Sequence, residues 1–275
     1  MRRTCVISAS AAALLSLSAC GGGDEGSGGL SGGENTDPTN ATYTQFTDAA
    51  STENSQLIYI AIDSGGDRTS GTAGTLDHDT FVISAGALAG LLSGDFTEIA
   101  LNGGGTATLT NPSSTEYTRV FTTSGAGDPL FGVLGQRTEA VDLPNGTSSL
   151  GGRVSLSVSS GGVPYTLTGN ATVTVDWDAD LVDTRFFSLS GKRTDTDASV
   201  SGVGTIRIDN AALSGGTFTG GTASTTGSFE PLVSASTNGT QGALFGPNAD
   251  EAGGTVVVDD TGAGDFLAIG VYTAE

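Results

Sequence analysis

The sequence is poor in the residues on which most binding and catalytic chemistry depends. Its 275 residues include ten Lys and Arg, one His, two Cys and one Met, against 30 Asp and Glu, and the net charge is −20. So few cations exclude a basic surface for nucleic acid, because such a surface must neutralise phosphates. They also disfavour electrostatic docking on anionic lipid headgroups.

Both cysteines lie in an N-terminal segment of the secretory type. Arg2 and Arg3 precede a mostly apolar run over residues 6–17. This run is too short to cross a bilayer as a helix, which needs ~20 apolar residues. It ends in Leu17-Ser18-Ala19-Cys20, which resembles a bacterial lipobox, in which the cysteine becomes the first mature residue and carries lipid. The alternative is ordinary secretory cleavage, with Cys20 incidental.

The lipobox interpretation sets the organisation of the N-terminus. It predicts a lipoprotein signal peptide over residues 1–20, lipidation at Cys20 and a flexible Gly/Ser tether over residues 21–40. In such lipoproteins an Asp after the cysteine favours the inner membrane, and here Gly21 favours the outer membrane. Because Cys5 would be removed and Cys20 acylated, the mature chain would keep no thiol for a disulfide, a metal site or a nucleophile.

The rest of the chain predicts a mainly β protein. Glycine fills 44 positions, and Ser, Thr and Val are frequent, which is typical of short strands joined by tight turns. In the first half, 87–92 is either a short helix or a buried strand, and strand candidates are 57–62, 81–83, 98–101, 106–110, 116–123 and 130–134.

After about residue 141, apolar residues alternate with Ser and Thr, as at 154–159, 172–177 and 205–209. Such alternation indicates strands with one buried face and one solvated face. Further candidates are 181–190, 212–219, 223–229, 240–246, 253–259 and 265–273. A closed barrel would remove the exposed edges of so many strands, and the aromatics are too few for the girdles of a transmembrane barrel. A soluble barrel is therefore preferred.

Three segments of this second half resemble the barrel domain of transferrin-binding protein B. They are Gly169-Asn170-Ala171-Thr172-Val173-Thr174-Val175-Asp176-Trp177, Gly215–Gly220 and, most specifically, Gly242-Ala243-Leu244-Phe245-Gly246-Pro247-Asn248-Ala249-Asp250-Glu251-Ala252-Gly253-Gly254. The resemblance implies a soluble eight-stranded antiparallel β-barrel over residues 141–275, preceded by a handle-like β domain over residues 41–140. It also implies a lipid tether to the outside of the cell. The last strand, 265–272, departs from the family pattern, and the chain has room for one lobe.

Candidate chemical residues are few. His78, between Asp77 and Asp79, is interpreted as an exposed turn histidine, and a role as haem ligand is the alternative suggested by single-lobe relatives. Asp176, Asp178 and Asp180, with Asp183, have the spacing of calcium ligands. The EF-hand frame fails, however, because its positions 6 and 12 are Leu181 and Phe187. A hairpin turn is the preferred interpretation, and weak calcium binding stays open.

These observations predict a binding protein rather than an enzyme, with no catalytic residue, no metal site and no cofactor. The expected place is the outer membrane, anchored through lipid on Cys20 and exposed on the cell surface. The expected partner is a protein or a small solute, and the resemblance suggests capture of an iron source. The alternatives are a structural or adhesive surface protein without a small ligand, and a carrier of a small apolar ligand in the barrel mouth.

Overall fold

The computed structural model describes Tyr43 and residues 57–72, 98–100, 106–124, 129–229, 231–232, 239–261 and 265–275. Cys20, the tether, His78 and the predicted elements at 81–83 and 87–92 lie outside the described residues. The described residues form sixteen strands and two short 3₁₀ turns, at Ala140–Asp142 and Pro247–Ala249. No helix among them is long and apolar enough to span a membrane.

The first six strands form an antiparallel sheet, which we call the handle sheet. They are β1 (Leu57–Asp63), β2 (Arg68–Thr72), β3 (Glu98–Ala100), β4 (Thr106–Thr110), β5 (Thr118–Ser124) and β6 (Leu130–Gln136). Their order is β2-β1-β6-β5-β4-β3. The strands predicted around residues 57–62, 98–101, 106–110, 116–123 and 130–134 are confirmed, with ends that move by up to two residues. Strand β2 was not predicted, because Arg-Thr-Ser-Gly-Thr carries no apolar residue.

The second half forms an eight-stranded antiparallel ring, as predicted. Its members are β7 (Thr147–Ser160), β8 (Val163–Asp176), β9 (Leu181–Arg193), β11 (Gly204–Ser214), β12 (Thr217–Gly220), β14 (Thr240–Phe245), β15 (Glu251–Asp259) and β16 (Phe266–Ala274). The order β9-β8-β7-β16-β15-β14-β12-β11 closes through pairing of β9 with β11. Two further strands, β10 (Ser199–Ser201) and β13 (Thr222–Gly227), pair with β9 and β11. The candidate at 212–219 is two strands, because it contains the turn Gly215-Gly216, where both φ angles are positive.

The barrel interior is a packed apolar core. Along β7, Val154, Leu156 and Val158 are buried inside, and the serines between them point outward. Tyr272 lies fully buried among these side chains, and its hydroxyl is hydrogen-bonded to Thr240 Oγ1. Apolar side chains inside and hydroxyls outside are the arrangement predicted for a soluble barrel.

The handle sheet packs on the outer wall of the barrel at β14, β15 and β16. A second apolar cluster joins the two, with Ile58, Ile60, Ile62, Val120 and Val133 from the handle sheet and Ala243, Phe245, Val257, Ile269 and Val271 from the barrel. These three barrel strands are consequently buried on both faces. The division of the chain into domains at residue 141 stays a prediction.

Candidate binding cleft

Beyond its contact with β14–β16, the handle sheet borders a cleft on the barrel wall. The cleft has a volume of about 660 Å³. Handle residues that include Val120, Thr122 and Phe131 form one side, and outward-facing residues of β7, β8, β9 and β16 form the floor. Pockets that hold small ligands in proteins span ~300–1,000 Å³, so the cleft has the capacity for one.

The cleft floor is a regular array of hydroxyl groups. Ser155 pairs with Thr168, which pairs with Ser190, so that three hydroxyl residues form a row across β7, β8 and β9. A second row places Ser157 opposite Thr166. Neighbouring strands lie ~4.8 Å apart, and outward residues of one strand repeat every ~7 Å, so these hydroxyls are evenly spaced.

A bulge in β9 shapes one end of the floor. The pairing of β8 with β9 shifts between Thr168 and Asn170, and Ser188 adopts a φ of 53° at this point. The bulge places Phe187 opposite Asn170 and brings Ser188 to the cleft lining. Bulges commonly redirect side chains in this way at functional surfaces. Gly169 fits here because a Cβ would collide with Leu189 and with the backbone of Phe187.

The cleft differs in charge from the chain as a whole. None of the described residues that line it is Asp or Glu, and Arg153 is the one cation among them. Arg153 Nη1 donates a hydrogen bond to Asn170 Oδ1 at 2.9 Å, so its partner here is neutral. Although the chain has 30 acidic residues, the described lining of this surface contains no carboxylate.

The cleft continues along the barrel wall into a second groove. This groove has a volume of about 440 Å³ and shares Pro112, Arg153 and Asn170 with the cleft. It extends over Thr172 to Phe187, and its described lining also contains no carboxylate. The two depressions together make an elongated, open-ended surface.

The carboxylate of Glu251 fixes the handle next to the cleft. Glu251 is 2% exposed and belongs to β15, and its oxygens accept hydrogen bonds from the backbone N of Tyr117 at 3.0 and 3.1 Å and from Thr118 Oγ1 at 2.7 Å. The backbone N of Glu116 donates a further bond. Burial raises the pKa of Glu251, and the hydrogen bonds and nearby Arg119 partly oppose that rise. Glu251 lies within the segment 242–254 that resembles the known family, but no local sequence signal indicated this role.

Ser113 provides a second link between the handle loop and the barrel. Its Oγ donates to the carbonyl oxygen of Thr273 at 2.9 Å and accepts from the backbone N of Arg153 at 3.0 Å. The loop before β5 is thereby held against β7 and β16 at the rim of the cleft.

The predicted acidic candidates form a turn. Asp176 Oδ1 accepts hydrogen bonds from the backbone N atoms of Asp178 and Ala179, in the hairpin turn between β8 and β9 that was predicted. Asp183 instead accepts from the backbone N of Asn210. In the described part of the chain, no three His, Cys, Asp or Glu side chains are grouped so as to hold a metal ion. The geometry therefore gives Asp176, Asp178 and Asp180 no support as a calcium site.

Comparison with known proteins identifies the fold. No family model and no curated protein sequence matches the chain. Among solved structures, a mutant of transferrin-binding protein B from Haemophilus parasuis matches with a TM-score of 0.54 at 18% identity, over 80% of this chain and 45% of that one. Isotype 1 transferrin-binding protein B from serogroup B Neisseria meningitidis matches with a TM-score of 0.50 at 17% identity, over 80% and 43%.

Intact Ap-TbpB, with N and C lobes, matches with a TM-score of 0.52 at 18% identity, over 80% of this chain and 46% of that one. This chain thus spans less than half the length of these three structures. At these identities the likeness establishes the fold alone, which is that of a transferrin-binding protein B lobe. The fold implied by the segments at 169–177, 215–220 and 242–254 is confirmed.

Proposed function

We propose that the chain is a non-enzymatic binding protein of the cell surface, held on the outer membrane by lipid on Cys20. The observation that carries the proposal is the fold: an eight-stranded barrel with a handle sheet packed on its wall, as in lobes of transferrin-binding protein B. The proposed ligand is an iron source, either an iron-carrying protein or an iron-containing solute. Transfer of this role from proteins named for binding transferrin rests on the shared architecture.

The described side chains support binding over catalysis. Some acidic groups on the barrel surface form ion pairs, such as Asp195 with Arg193 at 2.7 Å and Asp197 with Lys192 at 2.8 Å. The buried carboxylate of Glu251 is committed to joining the handle to the barrel. A rigid scaffold with an open cleft provides what a binding protein requires, whereas acid–base catalysis requires a tuned proton donor or acceptor facing that cleft.

Membrane fractionation tests the proposed anchor. The Cys20→Ser chain should leave the high-salt-washed membrane pellet and become soluble, because stable anchoring needs two or more acyl chains. Cys5→Ser is the matched control, since it lies in the segment that would be removed, and it should stay in the pellet. Retention of the Cys20→Ser chain in the pellet would refute the anchor.

Direct binding tests the proposed capture. The purified Cys20→Ser chain is titrated with iron-loaded transferrin, with haemin and with a ferric siderophore, and one of them should give a saturable isotherm. Susceptibility to added protease on intact cells should show that the anchored chain is exposed. If none of the three ligands gives saturable binding, iron-source capture is refuted and a structural or adhesive role is favoured.

A further inference from the structure

We infer that the cleft between the handle sheet and strands β7–β9 binds a neutral oligosaccharide. The inference deepens the proposed binding function and rests on it, because it assigns a ligand class to a surface formed by the same barrel and handle sheet. The side-chain groups that would contact this ligand are the floor hydroxyls of Ser155, Thr168 and Ser190, the ring of Phe131 and the guanidinium of Arg153.

Charge selects for an uncharged ligand. A cationic ligand would need carboxylates, and the described lining holds none. An anionic ligand would have to approach a chain of net charge −20, with Arg153 as the one cation in the described lining to receive it. A neutral polar molecule meets neither barrier.

Hydrogen-bonding capacity selects for a polyhydroxylated ligand. A serine or threonine hydroxyl both donates and accepts, as a sugar hydroxyl does, so the rows Ser155–Thr168–Ser190 and Ser157–Thr166 match either polarity of each sugar group. The amide of Asn170 and the guanidinium of Arg153 add donors and acceptors at the end of the array.

An apolar strip lies beside the hydroxyl array. The row of Ser155 continues into Val271 of β16, and the row of Ser157 continues into Ile269. Ile269 and Val271 are largely covered by the handle sheet, so the half-buried ring of Phe131 beside them provides the apolar surface against which the C–H face of a pyranose ring can pack. Adjacent apolar and hydroxyl surfaces complement the two kinds of face on a sugar.

The shape of the site favours a chain over a compact molecule. The cleft and the second groove meet at Arg153 and Asn170, and the second groove leads to the ring of Phe187. An extended peptide is disfavoured on this floor, because β7 and β8 are hydrogen-bonded to neighbours on both sides and offer no free strand edge for β-augmentation. The floor therefore recognises its ligand through side chains.

Calorimetric titration with defined sugars tests the inference. The Cys20→Ser chain is titrated with maltohexaose, cellohexaose and chitohexaose, and at least one should give saturable binding. Thr168→Val removes a hydroxyl from the centre of the floor at nearly constant volume, and should weaken that binding by roughly three- to tenfold, the effect of one net hydrogen bond. Thr174→Val is the matched control, because Thr174 points outward from the same strand beyond the described lining.

The outcomes separate this inference from the proposed function. Binding weakened by Thr168→Val and unchanged by Thr174→Val supports the site. The inference is overturned if none of the three hexasaccharides binds, or if both variants weaken binding equally. Iron-source capture is tested with transferrin, haemin and a siderophore, and anchoring is tested by membrane fractionation, so both can be supported even if no hexasaccharide binds. Conversely, if only iron-source capture fails, the result of the hexasaccharide titration still holds.

Discussion

Replacing Glu251 by Ala should weaken the contact between the handle sheet and the barrel and lower the free energy of unfolding. The side chain is buried at the junction, and it accepts hydrogen bonds from the backbone N atoms of Glu116 and Tyr117 and from the hydroxyl of Thr118. These donors lie at the end of the loop that enters β5 and at the first residue of that strand, more than a hundred residues away in the chain. Truncation would leave them facing an apolar methyl group.

The size of the effect follows from which donors can find another partner. A buried donor left without an acceptor costs about 1–3 kcal/mol. Glu116 is exposed, so water can replace its partner, whereas the backbone N of Tyr117 and the buried hydroxyl of Thr118 have less access to water. Two such donors give about 2–6 kcal/mol, and relief of the carboxylate's own desolvation lowers the net loss to about 2–4 kcal/mol. This is a large share of a typical free energy of unfolding of ~5–15 kcal/mol.

Urea denaturation of the Cys20→Ser chain, with and without Glu251→Ala, measures the loss. Asp178→Ala serves as the control, because Asp178 is an exposed carboxylate in a turn, and it should change the free energy of unfolding by less than about 0.5 kcal/mol. If Glu251→Ala changes stability no more than this control, the hydrogen bonds of Glu251 do not stabilise the junction, and the reasoning is refuted.

The pH dependence of the same residue provides a separate check. Burial raises the pKa of Glu251 above its ordinary value of about 4.5. The contribution of Glu251 to the free energy of unfolding is therefore fully present below about pH 4.5. It declines as the pH rises through the raised pKa. As the pH rises from about 4.5 through the raised pKa, the free energy of unfolding of the native chain should fall relative to that of the Glu251→Gln chain. A rise relative to Glu251→Gln would contradict the direction of the pKa shift.

Two further substitutions test the hydrogen bonds of the Tyr43 hydroxyl and the close packing of strands within the barrel wall. Tyr43→Phe removes a hydroxyl that donates to Asp142 at 2.7 Å and accepts from a backbone N–H at 2.8 Å, and should cost about 1–2 kcal/mol in urea denaturation; no change would mean that water replaces both bonds. Gly152→Ala places a Cβ against the carbonyl oxygen of Thr273 and should cost about 1–3 kcal/mol, whereas Gly151→Ala, next to it and facing open space, should change the melting temperature little. Equal effects of the two would show that steric closeness to β16 is unimportant.

The barrel was predictable because its pattern is local. Over much of β7 and β8, as at 154–159 and 172–176, apolar residues alternate with Ser, Thr or another polar residue, and this period fixes both the strand and the face that is buried. Turn residues such as Gly161-Gly162 adopt positive φ angles between these strands, so glycine also marked where each strand ends. Ring closure, in contrast, was inferred from the need to avoid edges and from the family resemblance.

The junction was not predictable, because its partners are far apart in sequence. Nothing near Glu251 shows that its carboxylate will meet the backbone of Tyr117, 134 residues earlier. Likewise, the apolar residues of β1 could face any sheet, and their packing on Val257 and Ile269 depends on tertiary structure. The array of hydroxyls on the barrel wall was visible in the sequence, where it indicated only a solvated face.

One sequence signal for the cleft was nevertheless present. Strands β15 and β16 contain the nearly continuous apolar runs Val256–Val258 and Phe266–Tyr272, and they lack the alternation of β7 and β8. A strand without alternation is buried on both faces, so these runs mark the part of the wall that the handle sheet covers. Where alternation returns, in β7, the outer face carries hydroxyls and the cleft begins. The change of pattern between β16 and β7, which pair as neighbours in the barrel, therefore locates both the docking face of the handle and the edge of the proposed saccharide site.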